Sequence, residues 1–286
     1  METTISGRIQ LHGFGIATLA ILAILFMSIG GCQSVHRPEA DLVITNVDIV
    51  DVVDGKITSD NDVFITGDTI SDITRAGSLP HPANAIILDG NGKFLIPGLW
   101  DAHVHVISNS AWQMPLMLAH GITSVRNMHT TEPDPLIAIK RVKADIDAGA
   151  YPSPRLLASG PIIDGPNISA WPSSVIVDSP ASAKAAVKQQ QADGADFIKV
   201  YSALDAPSMM AILEQAEKSG IAVDGHMPAS IDPAVAVSAG MRTVEHTSGV
   251  FAGCSDNELI VRNKFHEYFT GDPSPFPSLN LRFFLY

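Results

Sequence analysis

Residues 97–106 read PGLWDAHVHV. Asp101, His103 and His105 alternate there with Ala102, Val104 and Val106. Alternate side chains of a strand share one face, so both imidazoles point the same way, about 7 Å apart along the backbone. That spacing suits two nitrogen ligands of one divalent ion, because neutral imidazole is a common ligand of zinc-like metals. An isolated His-X-His also describes two half-buried histidines on an ordinary strand. What lies on either side decides between the two.

Downstream, apolar helical stretches ending in glycine alternate with short β-branched runs. A helix over 112–120 stops at Gly121. Asp134 and Pro135 open a second over 135–148, with Leu136, Ile139, Val142 and Ile146 on one stripe. Ser179-Pro180, Asp205 with Pro207, and Ser230 with Asp232-Pro233 open three more, closed by Gly194, Gly220 and Gly240. Strands follow at about 99–106, 122–128, 155–159, 196–201, 221–226 and 242–247. Strands alternating with helices of this length imply βαβ units and a parallel sheet. Neither GxGxxG nor GxxxxGK[ST] occurs, so a nucleotide-binding α/β protein has no motif in its favour. A barrel fits better, because His103, His105, Lys199, His226 and His246 all fall at the C-terminal ends of strands, where barrel active sites are built. His12, His36, His81 and His266 fall at none of these positions; His120 ends a helix and His129 lies just past the second strand.

Upstream, residues 42–96 form short strand-like runs broken by Asp54-Gly55, Gly67-Asp68 and Asn91-Gly92. The last predicts a hairpin between 85–89 and 93–96. The whole reads as a small antiparallel unit, too short to hold a core alone.

The chain has 286 residues, 46% hydrophobic and 17% charged, with a net charge of -12. This composition is globular, and the absence of a Lys/Arg cluster argues against a nucleic-acid surface. Residues 14–31 are an apolar run, FGIATLAILAILFMSIGG, preceding Cys32. A secretory signal, a spanning helix and a buried helix all compete for it. The small residues before the cysteine resemble a bacterial lipobox. The expectation is a lipoprotein signal over 1–31, lipidation at Cys32, a tether over 32–41, and a lipid-anchored envelope protein. Cys254 would then be the one other cysteine, so no internal disulfide forms.

PGLWDAHVHV, GADFIKVYS around Lys199 and HTSG at His246 together resemble the amidohydrolase superfamily, over nearly everything from Asp41 to about Glu258. The resemblance is to the binuclear branch near prolidases and imidazolonepropionase-related enzymes. It implies an incomplete (β/α)8 TIM-like barrel over 97–286 and a small N-terminal β-sandwich portion over 42–96. It further implies two divalent metal ions of zinc type. His103 and His105 would hold one, and His226 and His246 the other, with Lys199 bridging them as a carbamate formed with carbon dioxide. A hydroxide between the metals would attack an amide, peptide or cyclic amide carbonyl. Tyr201, two residues after Lys199 on the same face, would hydrogen-bond the substrate. The loop from Gly160 to Asp178, with Trp171, would lie over the mouth or serve as an ordinary surface loop.

Two departures qualify this. The family's eighth strand supplies an aspartate, but only 39 residues follow Thr247, without strand–helix grammar. The expectation is a truncated chain with open edges at strands 1 and 6, and a competing reading as a non-catalytic envelope lipoprotein. The second departure is Asn127, where relatives more often carry an acid; whether His129 compensates is left open.

Overall fold

In the computed structural model, residues 39–166, 171–247 and 249–271 are described. Residues 1–31 and Cys32 lie outside them. No helix among the described residues is long and apolar enough to cross a membrane. The chain divides into one unit up to Pro97 and another from Gly98.

The first unit is a five-stranded sheet. Strands β1 (Leu42–Val50), β2 (Ile57–Thr66) and β3 (Thr69–Arg75) form an antiparallel meander. Val43, Val47, Val63 and Phe64 are buried in it. β4 (Ile86–Asp89) and β5 (Phe94–Leu95) depart from the expected hairpin. Both pair with β1, parallel to it, one after the other along its length. Asn91-Gly92 therefore makes a jog between two segments travelling the same way. Gly90 N–H donates to the Thr45 carbonyl and Asp48 N–H to that of Lys93. The turn forms where its residues predict one, but β1 offers both segments a longer partner than they offer each other. The expected antiparallel unit is thus a mixed sheet.

The second unit carries the parallel strands. β6 (Leu99–Val104), β7 (Ile122–Asn127) and β8 (Arg155–Ala158) pair in order. Two short strands, β9 (Ile163–Asp164) and β10 (Val175–Ile176), lie within the stretch expected to be a loop. β11 (Phe197–Val200), β12 (Ala222–Gly225) and β13 (Met241–Val244) follow, with β9 also on β11. A single bridge, Ser159 to Phe197, continues the order from β8 to β11. β6, β7, β8, β11, β12 and β13 are the six expected barrel strands, all parallel. Among the described residues β6 and β13 each pair on one side only, so the partial barrel is open.

Helices α1 (Ser110–Ala119), α2 (Pro135–Asp147), α3 (Pro180–Ala192), α4 (Ala206–Ser219) and α5 (Pro233–Ser238) alternate with these strands. Of the residues expected to open these helices, Ser230 does not cap one and donates instead to the Leu204 carbonyl. Asp134, Ser179, Asp205 and Asp232 each accept a backbone N–H of the first turn, with proline at its start. α6 (Val250–Gly253) and α7 (Glu258–Thr270) follow β13. Buried Val104, Val125, Ile139 and Val142 pack β6 and β7 against α2, and Ile198, Val223, Ile212 and Met209 pack β11 and β12 against α4. These helices cover one face of the strands, which leaves the other face to polar side chains.

Candidate metal centre

Val104 and Val106 turn into the helix-side core, so His103 and His105 turn the other way, as alternation requires. Lys199 projects from the middle of β11 on that same face. His226 directly follows β12, and His246 follows β13 in a tight turn. All five, with Tyr201, line one cavity of about 600 Å³. The rings of His103 and His246 stand 4.5 Å apart, those of His226 and His246 5.0 Å, and those of His103 and His105 5.3 Å, centroid to centroid. Every site residue expected at a strand end is therefore brought to one place.

Among the described residues no group of three or more His, Cys, Asp or Glu stands at the spacing that would hold an ion by itself. The donor chemistry nevertheless fits a metal. His103 Nδ1 donates to Glu245 Oε2 at 2.6 Å, and His105 Nδ1 donates to the His129 carbonyl at 3.1 Å. His226 Nδ1 meets Ser202 Oγ at 3.1 Å. A ring whose Nδ1 is engaged presents Nε2 as the ligand, the usual outer-shell arrangement of metal-binding histidines. Burial lowers the proton affinity of His105 and His246, and takes that of His226 down to about 2, so the rings are neutral at pH 7.

Lys199 is 2% exposed. Burial pushes its amine down to about 8, against the opposing pull of Glu245. Reaction with carbon dioxide requires the free amine, and this shift raises its share near neutrality well above that of an ordinary lysine.

The remaining lining explains the open questions of the sequence. His129 is 6% exposed and lines the cavity, and among the described residues neither of its ring nitrogens has a hydrogen-bond partner. Burial takes it down to about 4. Asn127 is fully buried and uses both ends of its amide: Oδ1 accepts from Val106 N–H at 2.8 Å, and Nδ2 donates to the His129 carbonyl at 3.1 Å. A carboxylate could make only the first bond. Tyr201 stacks on His226 with centroids 4.1 Å apart, and its hydroxyl accepts from Trp171 Nε1 at 2.9 Å. Trp171 thus sits at the cavity, in line with one of the two expectations for its loop.

Sequence reasoning missed Glu245 and Arg126. Arg126 Nη2 donates to Glu245 Oε1 at 2.6 Å and its Nη1 lies 3.2 Å from Asp224 Oδ2. An arginine inside a buried parallel strand was the available signal, since such a charge must be paired.

Comparison with known proteins identifies the family. The amidohydrolase family profile matches residues 94–263, and the chain belongs to that family. It is 39% identical over 94 residues to an adenine deaminase of Listeria monocytogenes, covering 31% of this chain and 15% of that protein. It is 45% identical over 65 residues to a dihydroorotase of Pelotomaculum thermopropionicum, covering 23% and 14%. A solved candidate prolidase from Bifidobacterium longum superposes with a TM-score of 0.63 and 26% identity, over 78% of this chain and 57% of that one. The chain thus spans a small part of the curated relatives and little more than half of this structural one.

Proposed function

We propose that this chain carries the metal-binding strands of a hydrolase acting on carbon–nitrogen bonds of small amide, peptide or cyclic amide substrates. The convergence of His103, His105, Lys199, His226 and His246 on one cavity carries the reading. His103 and His105 would hold one divalent ion of zinc type, His226 and His246 another, and Lys199, carboxylated by carbon dioxide, would bridge them. Such ions supply an acidified water and polarise a carbonyl.

The chain's own residues supply the rest. His129, neutral and with both nitrogens unpartnered among the described residues, can donate to a substrate oxygen without first breaking a bond. The Tyr201 hydroxyl, already held by Trp171, can donate its proton to a second oxygen. Trp171 itself lines that side of the cavity. Among the described residues no aspartate or glutamate lines the cavity. A positioned proton acceptor contributes about 10²–10⁴-fold to such a reaction.

The test is metal content after folding with zinc and bicarbonate. About two ions per wild-type chain, and loss of one or both in Lys199→Ala, is the expected result. A folded wild-type chain without metal overturns the reading. Hydrolysis of a dipeptide and cyclic-amide panel separates a working enzyme from a non-catalytic relative. We propose in addition that residues 1–31 are a lipoprotein signal and that lipid on Cys32 holds the protein at a bacterial envelope.

A further inference from the structure

The Glu245 carboxylate meets the imidazole ring of a proposed metal ligand, while Asp101 Oδ1 accepts the backbone N–H of the same residue, His103. One Glu245 oxygen accepts His103 Nδ1–H at 2.6 Å; the other accepts from Arg126 Nη2 at 2.6 Å and from Thr243 Oγ1 at 2.8 Å. Arg126 also donates Nε to the Ala102 carbonyl at 2.8 Å, and Thr243 lies 3.0 Å from Asp224 Oδ1. A single buried cluster therefore ties β6, β7, β12 and β13 together beneath the cavity. Arg126 already has Asp224 as a counter-charge, so neutralising the arginine does not by itself require Glu245. What Glu245 adds is the contact to His103.

Its place in the chain matters too. Glu245 immediately precedes His246, whose backbone lies in the left-handed region (φ 56°), as does that of Thr247 (φ 53°). Two successive non-glycine residues keep that conformation only where their surroundings over-determine it. The bonds on the Glu245 carboxylate anchor the turn from its N-terminal side.

We propose that Glu245 is a positioning residue that sets the tautomer and aim of His103 and ties that ring, across the unpaired edges of β6 and β13, to its chain neighbour His246. The inference rests on the metal-binding reading above. A carboxylate behind a ligating imidazole is typically worth about 10–100-fold in metal affinity.

The test is a cobalt(II) titration of the full chain, followed by visible absorption, for wild type, Glu245→Gln and His103→Ala. The binding step that His103→Ala abolishes should weaken by about 10–100-fold in Glu245→Gln, with the other step unchanged. A purely structural role would lower both steps together with the melting temperature, and that result, or unchanged affinities, would overturn the inference. A wild-type chain that takes up no cobalt overturns the metal-binding reading with it. If Glu245→Gln does not fold, nitrogen-15 spectra of histidine-labelled wild type decide. A proton on Nδ1 of His103 supports the role, and a proton on Nε2 rules it out.

Discussion

At the scale of single residues, the site depends on imidazoles kept neutral by burial. His129 shows the consequence for stability. Its ring is held down to about 4 in the folded chain, against about 6.5 when unfolded. Between these values the unfolded chain binds a proton that the folded chain refuses. Stability is therefore fully present above about pH 6.5 and falls as pH drops toward 4. One pKa unit corresponds to about 1.4 kcal/mol, so His129 alone accounts for at most roughly 3 kcal/mol. His226, held near 2, acts with the same sign. The urea midpoint of the metal-free protein should drop steadily from pH 7 to pH 4, and His129→Asn should flatten the slope. A midpoint independent of pH over that range would refute the assignment. Asn127 shows the other face of residue-level control. Its two-ended amide ties together the backbone at Val106 and at His129, which an acid could not do.

At the scale of elements, strand ends place the ligands and glycines permit the close approach. Gly225 closes β12 at φ +144°, directly before His226. A Cβ there would lie 2.2 Å from the Val200 carbonyl oxygen and 2.8 Å from its nitrogen, both backbone atoms of the paired strand. Neither can retreat without breaking the register that sets Lys199 beside Asp224. Gly220, the left-handed cap of α4, has φ +66°, but a methyl group there would meet nothing within 4 Å. Gly225→Ala should cost about 3 kcal/mol or more, and Gly220→Ala only about 1 kcal/mol. Thermal melts of the two variants check this, and equal losses would contradict it. The helices themselves are legible in the sequence, because a polar cap, a proline and a terminal glycine are local signals. The pairing around Asn91-Gly92 is not, because strands compete for partners across the whole sheet and β1 prevails.

At the scale of the whole molecule, the two units keep separate sheets and the proposed chemistry belongs to the second. Its partial barrel leaves two strands unpaired on one side among the described residues, and the His103–Glu245 contact links the first of them to the turn that follows the second. The proposed placement at an envelope is tested independently of the fold. Growth with labelled palmitate should label the wild-type chain and leave Cys32→Ala unlabelled. Label retained by Cys32→Ala would refute lipidation at that position.

The parallel α/β class, the six barrel strands, most of the helix caps and the five residues that gather at the cavity are legible in the amino-acid order alone. These follow from short-range rules: period-two alternation, cap chemistry and position at strand ends. Three features emerge only once the chain is folded: Glu245 and Arg126 pair beside His103, His129 is buried with both nitrogens unpartnered among the described residues, and β4 and β5 both run parallel to β1. Arg126 and Glu245 are 119 residues apart in the chain. No local pattern encodes which buried charge will find which partner, because that pairing exists only once the strands between them have been laid side by side.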